Sequence, residues 1–348
     1  MTKALFVIDT PMQVSNLQEA LQVFSIDHYD IITVDVSRAD GYAQLQQQLT
    51  RLNPGRLINV PRIEGDIRAR VAAYARHLPW LKAQHYDHVF FSNIRQHWQR
   101  DIVCSLDVQS PVLMDDGNST VMLYALRFRQ GLFFDFPVDN DIQRVTAANE
   151  VREEFGVSTE QPRHLTLFTI FKLEPLPWLD IVPNPMSLMR VDHHHVNDEQ
   201  VMIMGTGAVA LDYISLEEYI RLLNGIAARF PGKQFIYQPH RITAQALLDV
   251  IERETGFTVK RLDCPVEVWL AGHDCPPATL VSFFSAALST CSLCFPAIHV
   301  VSATPDISAW EAARHAHVFH MPGTDNLQII SLLLDYLKTD PRIETLLL

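Results

Sequence analysis

What the chain lacks narrows it first. No apolar run approaches the ~20 residues needed to span a bilayer. No cleavage pattern follows Met1-Thr2-Lys3, so the expectation is a cytoplasmic protein with at most peripheral membrane association. Basic residues are in deficit, 28 Lys and Arg against 40 Asp and Glu, for a net charge of −12. That balance speaks against a nucleic-acid partner held by phosphate attraction, although an acidic body can carry a local positive pocket. The five cysteines are odd in number and have no disulfide-scaffold spacing. Cys291-Ser292-Leu293-Cys294, on an apolar stretch, reads as buried thiols rather than as a redox or metal motif.

What is present is enough chain for two domains: 348 residues, 48% hydrophobic and 20% charged. The first half alternates strand and helix signals. Ala4–Ile8 is a strand, and Asp9-Thr10-Pro11 opens a helix to about Phe24 with a cap followed by proline. Further strands are expected at 29–36, 56–60, 87–92 and 111–114, with helices at 42–52, 66–83 and 99–106 between them. Such βα repetition implies a parallel sheet covered on both faces. Between 173 and 200 the prolines 175, 177, 183 and 185 crowd together ahead of Asp192-His193-His194-His195, which reads as a solvated interdomain crossing. The alternation then restarts, giving domains at 1–172 and 201–348 and a closing helix at 327–337 expected to pack back on the first domain.

Three stretches of the second half end at one sheet edge, where open α/β folds bind ligands. Gln234–Gln238 runs into Pro239-His240-Arg241. Val201–Met204 runs into Gly205-Thr206-Gly207. Thr279–Phe283, which includes Ser282, runs into Ser285 at the start of a helix. A glycine-flanked turn, a His-Arg pair and a helix-opening hydroxyl make a phosphate cradle. Glu267 opens a short helix after Cys264-Pro265, where negative charge is favoured and where it can accept two hydrogen bonds from a ribose diol. In the first half, Asp115-Asp116-Gly117 closes a strand; adjacent carboxylates repel, which can raise one toward the range of a general base. An ordinary Asp-Asp-Gly turn explains the same residues. The aspartates here are adjacent rather than separated by one residue, so no metal or other cofactor is expected.

Taken together, Thr10-Pro11-Met12-Gln13, Asp115-Asp116-Gly117, Phe168-Thr169-Ile170-Phe171-Lys172, Met204-Gly205-Thr206, Tyr237-Gln238-Pro239-His240, Cys264-Pro265-Val266-Glu267 and Ser282-Phe283-Phe284-Ser285-Ala286-Ala287-Leu288 form an ordered set. In that set the chain resembles the bacterial sialyltransferases of the two-Rossmann (GT-B) type. It is most similar to the lipooligosaccharide sialyltransferases of glycosyltransferase family fifty-two, and more loosely to the capsular polysialyltransferases. The resemblance implies two doubly wound Rossmann-like domains facing a central cleft. It implies inverting transfer of sialic acid or a related nonulosonic acid from a CMP-activated donor to an acceptor glycan of lipooligosaccharide, lipopolysaccharide or capsule. A monomer or homodimer at the inner face of the inner membrane is then expected. By that resemblance His240 and Ser285 meet the leaving phosphate and Glu267 the ribose hydroxyls, while Thr10, Gln13 and Gly117 belong to the acceptor side.

The general base is divided between two patterns. Related sialyltransferases use the acidic-acidic-glycine motif, matched by Asp115 and Asp116. The lipooligosaccharide enzymes resemble a pattern with an aspartate just past the glycine turn, where this chain has Ala208 and, further on, Asp212. The expectation is the Asp115/Asp116 pair. Arg241 stands where the family usually has proline, and can add a phosphate or carboxylate contact. The rivals are a nucleotide-diphosphate hexosyltransferase, a UDP-sugar 2-epimerase of the same architecture and a binding module without catalysis.

Overall fold

The computed structural model describes residues 1–35, 39–94, 96–131, 142–240, 242–310 and 325–348. The chain divides into two compact units, Met1–Pro185 and Met186–Leu348. Both are α/β units with a parallel sheet, in agreement with the alternation in the sequence.

The first unit runs β1 (Lys3–Val7), α1 (Pro11–Val23), β2 (His28–Val34), α2 (Ala39–Leu49), β3 (Arg56–Val60), α3 (Ile67–Ala75), α4 (Leu78–Lys82), β4 (His88–Phe91), α5 (His97–Ser105), β5 (Val112–Met114), α6 (Asn118–Leu126), α7 (Ile142–Glu154), β6 (Leu165–Thr169) and β7 (Leu179–Pro183). Its sheet has the order β3-β2-β1-β4-β5-β6-β7. The strand order therefore reverses between β1 and β4, the place where such sheets take ligands. From Ala4 to Val7 the strand β1 is apolar because its side chains feed two cores. Leu5 and Val7 enter one, and Ala4 and Phe6 enter the other.

The second unit runs β8 (Asn197–Met204), α8 (Leu216–Arg229), β9 (Gln234–Gln238), α9 (Gln245–Thr255), β10 (Thr258–Val259), α10 (Val266–Ala271), β11 (Pro277–Ser282), α11 (Ala286–Cys294), β12 (His299–Thr304), α12 (Asn326–Thr339) and β13 (Ile343–Leu347). Its sheet has the order β10-β9-β8-β11-β12-β13. Cys291 and Cys294 are fully buried in it as free thiols, as their apolar context implies.

Four local expectations need correction. The proline-rich stretch contains a strand, β7, paired with β6 from Leu165↔Leu179 to Thr169↔Pro183. It is the edge strand of its sheet, where a missing N–H can be tolerated, and Pro183 ends it. The helix expected over 66–83 is two helices, with Pro79 inside the first turn of the second. The closing helix belongs to the second unit and leads into β13, which pairs with β12. Trp310 follows a 3-10 turn at Ile307–Ala309 rather than sitting on a closing helix.

Candidate functional site

In the second unit β8 and β9 are paired up to Met204↔Gln238, so Gly205 and Pro239 leave the sheet side by side. The Gly205 N–H donates to the Gln238 carbonyl at 2.8 Å. Its lack of a side chain has a steric cause, since an added Cβ would overlap the Tyr237 hydroxyl. That hydroxyl lies 3.0 Å from Tyr219 Oη, which accepts the Thr206 N–H at 3.3 Å. Burial raises the pKa of both phenols, so they stand as neutral struts beneath the turn. Thr206 closes the turn by accepting the Ala208 N–H on Oγ1 at 3.3 Å.

His240 is half-buried just past β9, and Pro239 is buried beside it. Its Nδ1 accepts the Ile242 N–H at 3.4 Å, a contact that assigns the neutral ring's proton to Nε2. A Cβ on Gly207 would come closest to Ile242 Cδ1, at 3.0 Å, and would stand 3.4 Å from the same Nδ1. Ser285 caps α11, accepting the Ala287 N–H on Oγ at 3.3 Å. Glu267 lies in the first turn of α10 and is only 5% exposed. Among the described residues it meets no cation and no side-chain donor, only its own backbone N–H; burial raises its pKa.

Ser282 differs from its expected role. It is fully buried, and its hydroxyl donates to the Met204 carbonyl at 2.7 Å, tying β11 to β8 and presenting nothing at the edge. Asp212 is exposed with φ 55°, at the end of the turn that follows Gly207. Arg241 lies outside the described residues. His193, His194 and His195 do not converge: His193 lies against the Phe295 ring, and the other two are exposed.

Neither a protein-family model nor a curated protein sequence matches the chain. Solved structures do. The UDP-GlcNAc 2-epimerase of Methanocaldococcus jannaschii is similar with a TM-score of 0.51 at 12% identity, over 87% of this chain and 83% of that one. MurG of Acinetobacter baumannii has a TM-score of 0.45 at 9% identity, over 99% of this chain and 85% of that one. A family 9 glycosyl transferase of Veillonella parvula has a TM-score of 0.41 at 12% identity, over 100% and 86%. The chain has the two-Rossmann fold.

In such a fold the first unit's switch point is the second place to look. β1, β4, β5 and β6 are in register at their carboxyl ends, through Val7↔Phe91, Phe91↔Leu113 and Met114↔Phe168. Thr10 caps α1, accepting the Gln13 N–H on Oγ1 at 3.4 Å, with Pro11 next as the sequence implies. Asp115 is 5% exposed and both its oxygens are occupied. Thr169 Oγ1 donates to Oδ1 at 2.6 Å, and the Ile170 N–H donates to Oδ2 at 2.7 Å. Its carbonyl accepts Asn16 Nδ2 at 3.1 Å, and Asn16 Oδ1 accepts Asn184 Nδ2 at 3.1 Å. Asp115 thus binds together the ends of β5, β6 and β7. Burial pushes its carboxyl up to about 7 despite those hydrogen bonds.

Asp116 is half-buried, and its N–H donates to Thr120 Oγ1 at 3.2 Å. Gly117 has φ 60° and ψ −141°, a region essentially confined to glycine. The Asp-Asp-Gly run is therefore a turn that demands its glycine, and it also delivers carboxylates. The residue that sequence reading missed is Asp9. It lies just past β1, after Ile8, at the reversal of strand order and is half-buried. Burial first, and then the charge of Asp116, push its carboxyl up to about 6; the side chains of Gln13, Trp98 and Gln99 act the other way. Its position after the first strand was visible in the sequence, but its neighbours on α5 were not. No helix among the described residues is long and apolar enough to cross a membrane.

Proposed function

We propose that the chain transfers a nonulosonic acid, typically sialic acid, from its CMP-activated form to a hydroxyl of an acceptor glycan of lipooligosaccharide, lipopolysaccharide or capsule, with inversion. The observation that carries this reading is Glu267. A carboxylate buried without a cation or a side-chain donor is costly to keep ionised. The two hydroxyls of a ribose supply the missing donors. Glu267 falls where the ordered motif set places the ribose carboxylate.

The rest of the second unit fits a departing phosphate. The C–O bond of the donor breaks with its electron pair going to the phosphate oxygen, through an oxocarbenium-like centre. Charge on that oxygen is met by His240 Nε2–H, by the Ser285 hydroxyl and by the positive N-terminal end of α11. The acceptor's oxygen forms the new bond, and its proton passes to a carboxylate acting as general base. No divalent ion is needed for this charge balance.

The test incubates the protein with CMP-sialic acid, a UDP-hexose or UDP-GlcNAc, each with and without lactose as acceptor. Lactose-dependent release of CMP is expected. Lactose-dependent release of UDP would make the chain a hexosyltransferase, and acceptor-free isomerisation of UDP-GlcNAc would make it an epimerase. A melting-temperature panel of CMP, CDP, UMP and UDP reports binding separately. A ligand at 100 times its dissociation constant stabilises by about 2.7 kcal/mol. Binding without turnover of any donor would leave a binding module.

A further inference from the structure

Two orphan amides near Asp9 point to a hydroxyl. Gln13 is 1% exposed, Gln99 0% and Ser92 1%. The amides of the two glutamines have one orientation each, because their oxygens are taken by backbone. Gln13 Oε1 accepts the Asp9 N–H at 2.7 Å, and Gln99 Oε1 accepts the Ser92 and Asn93 N–H groups at 3.0 and 2.9 Å. The two amides, like the Trp98 side chain, lie near enough to the Asp9 carboxylate to favour its charged form. Neither Nε2 makes a hydrogen bond among the described residues, and neither does Ser92 Oγ. Leaving buried donors unpaired is costly, and native structures seldom do so without a reason.

Two N–H donors near one carboxylate are the complement of an alcohol. The alcohol's oxygen accepts from the amides and its O–H points at the carboxylate. As that proton leaves, the same amides stabilise the charge that grows on oxygen. Asp115 offers no such arrangement, because Thr169 and Ile170 occupy both its oxygens. Asp116 lies near enough to Asp9 for their charges to repel.

We propose that Asp9, held near the Gln13 and Gln99 amides, binds the acceptor hydroxyl and takes its proton, while Asp115 is the strut that fixes this edge of the sheet. This rests on the transfer reading for its chemistry and on the first unit alone for its geometry. The acceptor O–H bond breaks to leave its electron pair on oxygen. That oxygen bonds to the donor's anomeric carbon, the phosphate departs, and Asp9 releases its proton to solvent.

The test has two arms. In the first, Asp9→Asn should lower lactose-dependent turnover by about 10² to 10⁴ while CMP affinity stays within twofold. The acid limb of the pH–rate profile should move down by roughly 0.5–1 pH unit in Asp116→Asn, which removes a repelling charge, and up in Gln99→Glu, which adds one. A purely structural Asp9 would leave that limb in place. In the second arm lactose binding is measured with no donor present. Gln99→Glu keeps the acceptor for the Ser92 and Asn93 N–H groups but replaces the Nε2 donor, and should weaken lactose at least tenfold. If wild type binds lactose but turns over no CMP donor, the donor reading fails and the second arm still decides the hydroxyl site. Turnover above a tenth of wild type in Asp9→Asn, or unchanged lactose affinity in Gln99→Glu, would overturn the assignment.

Discussion

Gly205 lies directly against the hydroxyl of Tyr237, and a Cβ added there would also stand 3.2 Å from the Gln238 carbonyl oxygen. The glycine is set by the strand beside it. Gly205→Ala should therefore lower stability by roughly 1–3 kcal/mol in urea denaturation, the usual range for overpacking. Adding Tyr237→Phe should recover part of that loss, because it removes the atom most overlapped. Full stability of Gly205→Ala alone would show that the turn relaxes freely.

Glu267→Gln separates stability from binding. The carboxyl's pKa is raised in the fold from its ordinary 4.5, so the protonated form is favoured there. Stability is then fully present below the ordinary value and is lost as pH rises through the folded one. Glutamine removes that loss. The melting temperature of Glu267→Gln minus that of wild type should grow as pH rises from the acid side. CMP affinity should fall by roughly 1.5–3 kcal/mol, the worth of charged hydrogen bonds to the ribose. Unchanged CMP affinity in the folded variant would remove the ribose role.

Asp115→Asn tests the strut. An amide can accept from only one of Thr169 and Ile170 and turns a donor toward the other. We expect a stability loss of about 1–3 kcal/mol, read as a shift in denaturant midpoint with unchanged slope. Asp212→Asn should cost less than tenfold in turnover and little stability, because asparagine tolerates the positive φ there. A collapse of turnover in Asp212→Asn at full stability would move the base to the second unit.

Turnover should survive EDTA. The aspartates at 115 and 116 are adjacent, and in the proposed reaction His240, Ser285 and the start of α11 meet the leaving phosphate. Asp139-Asn140-Asp141 has the one-residue spacing of a metal motif but lies outside the described residues. Loss of activity on chelation, restored by Mg²⁺ or Mn²⁺, would direct attention to that segment.

The sequence by itself determined the α/β class, the parallel sheets and the order of most elements. These follow from local information: apolar runs with covered faces, and caps such as Thr10-Pro11 that act within one turn. It also placed His240, Glu267 and Ser285 at the ends or starts of elements. It did not determine what each side chain at an edge meets. Ser282 and Ser285 are three residues apart in one run, yet one hydroxyl is spent on the Met204 carbonyl inside the sheet and the other caps a helix. β7 escaped notice because proline density argues against strands in general and only an edge position permits one. Asp9 and Asp115 show the same division. Both are aspartates at the carboxyl ends of strands, alike to any local reading. Only the tertiary structure, by setting Thr169 and Ile170 at the end of β6 against one and the Trp98 and Gln99 side chains of α5 near the other, gave the two carboxylates different neighbours.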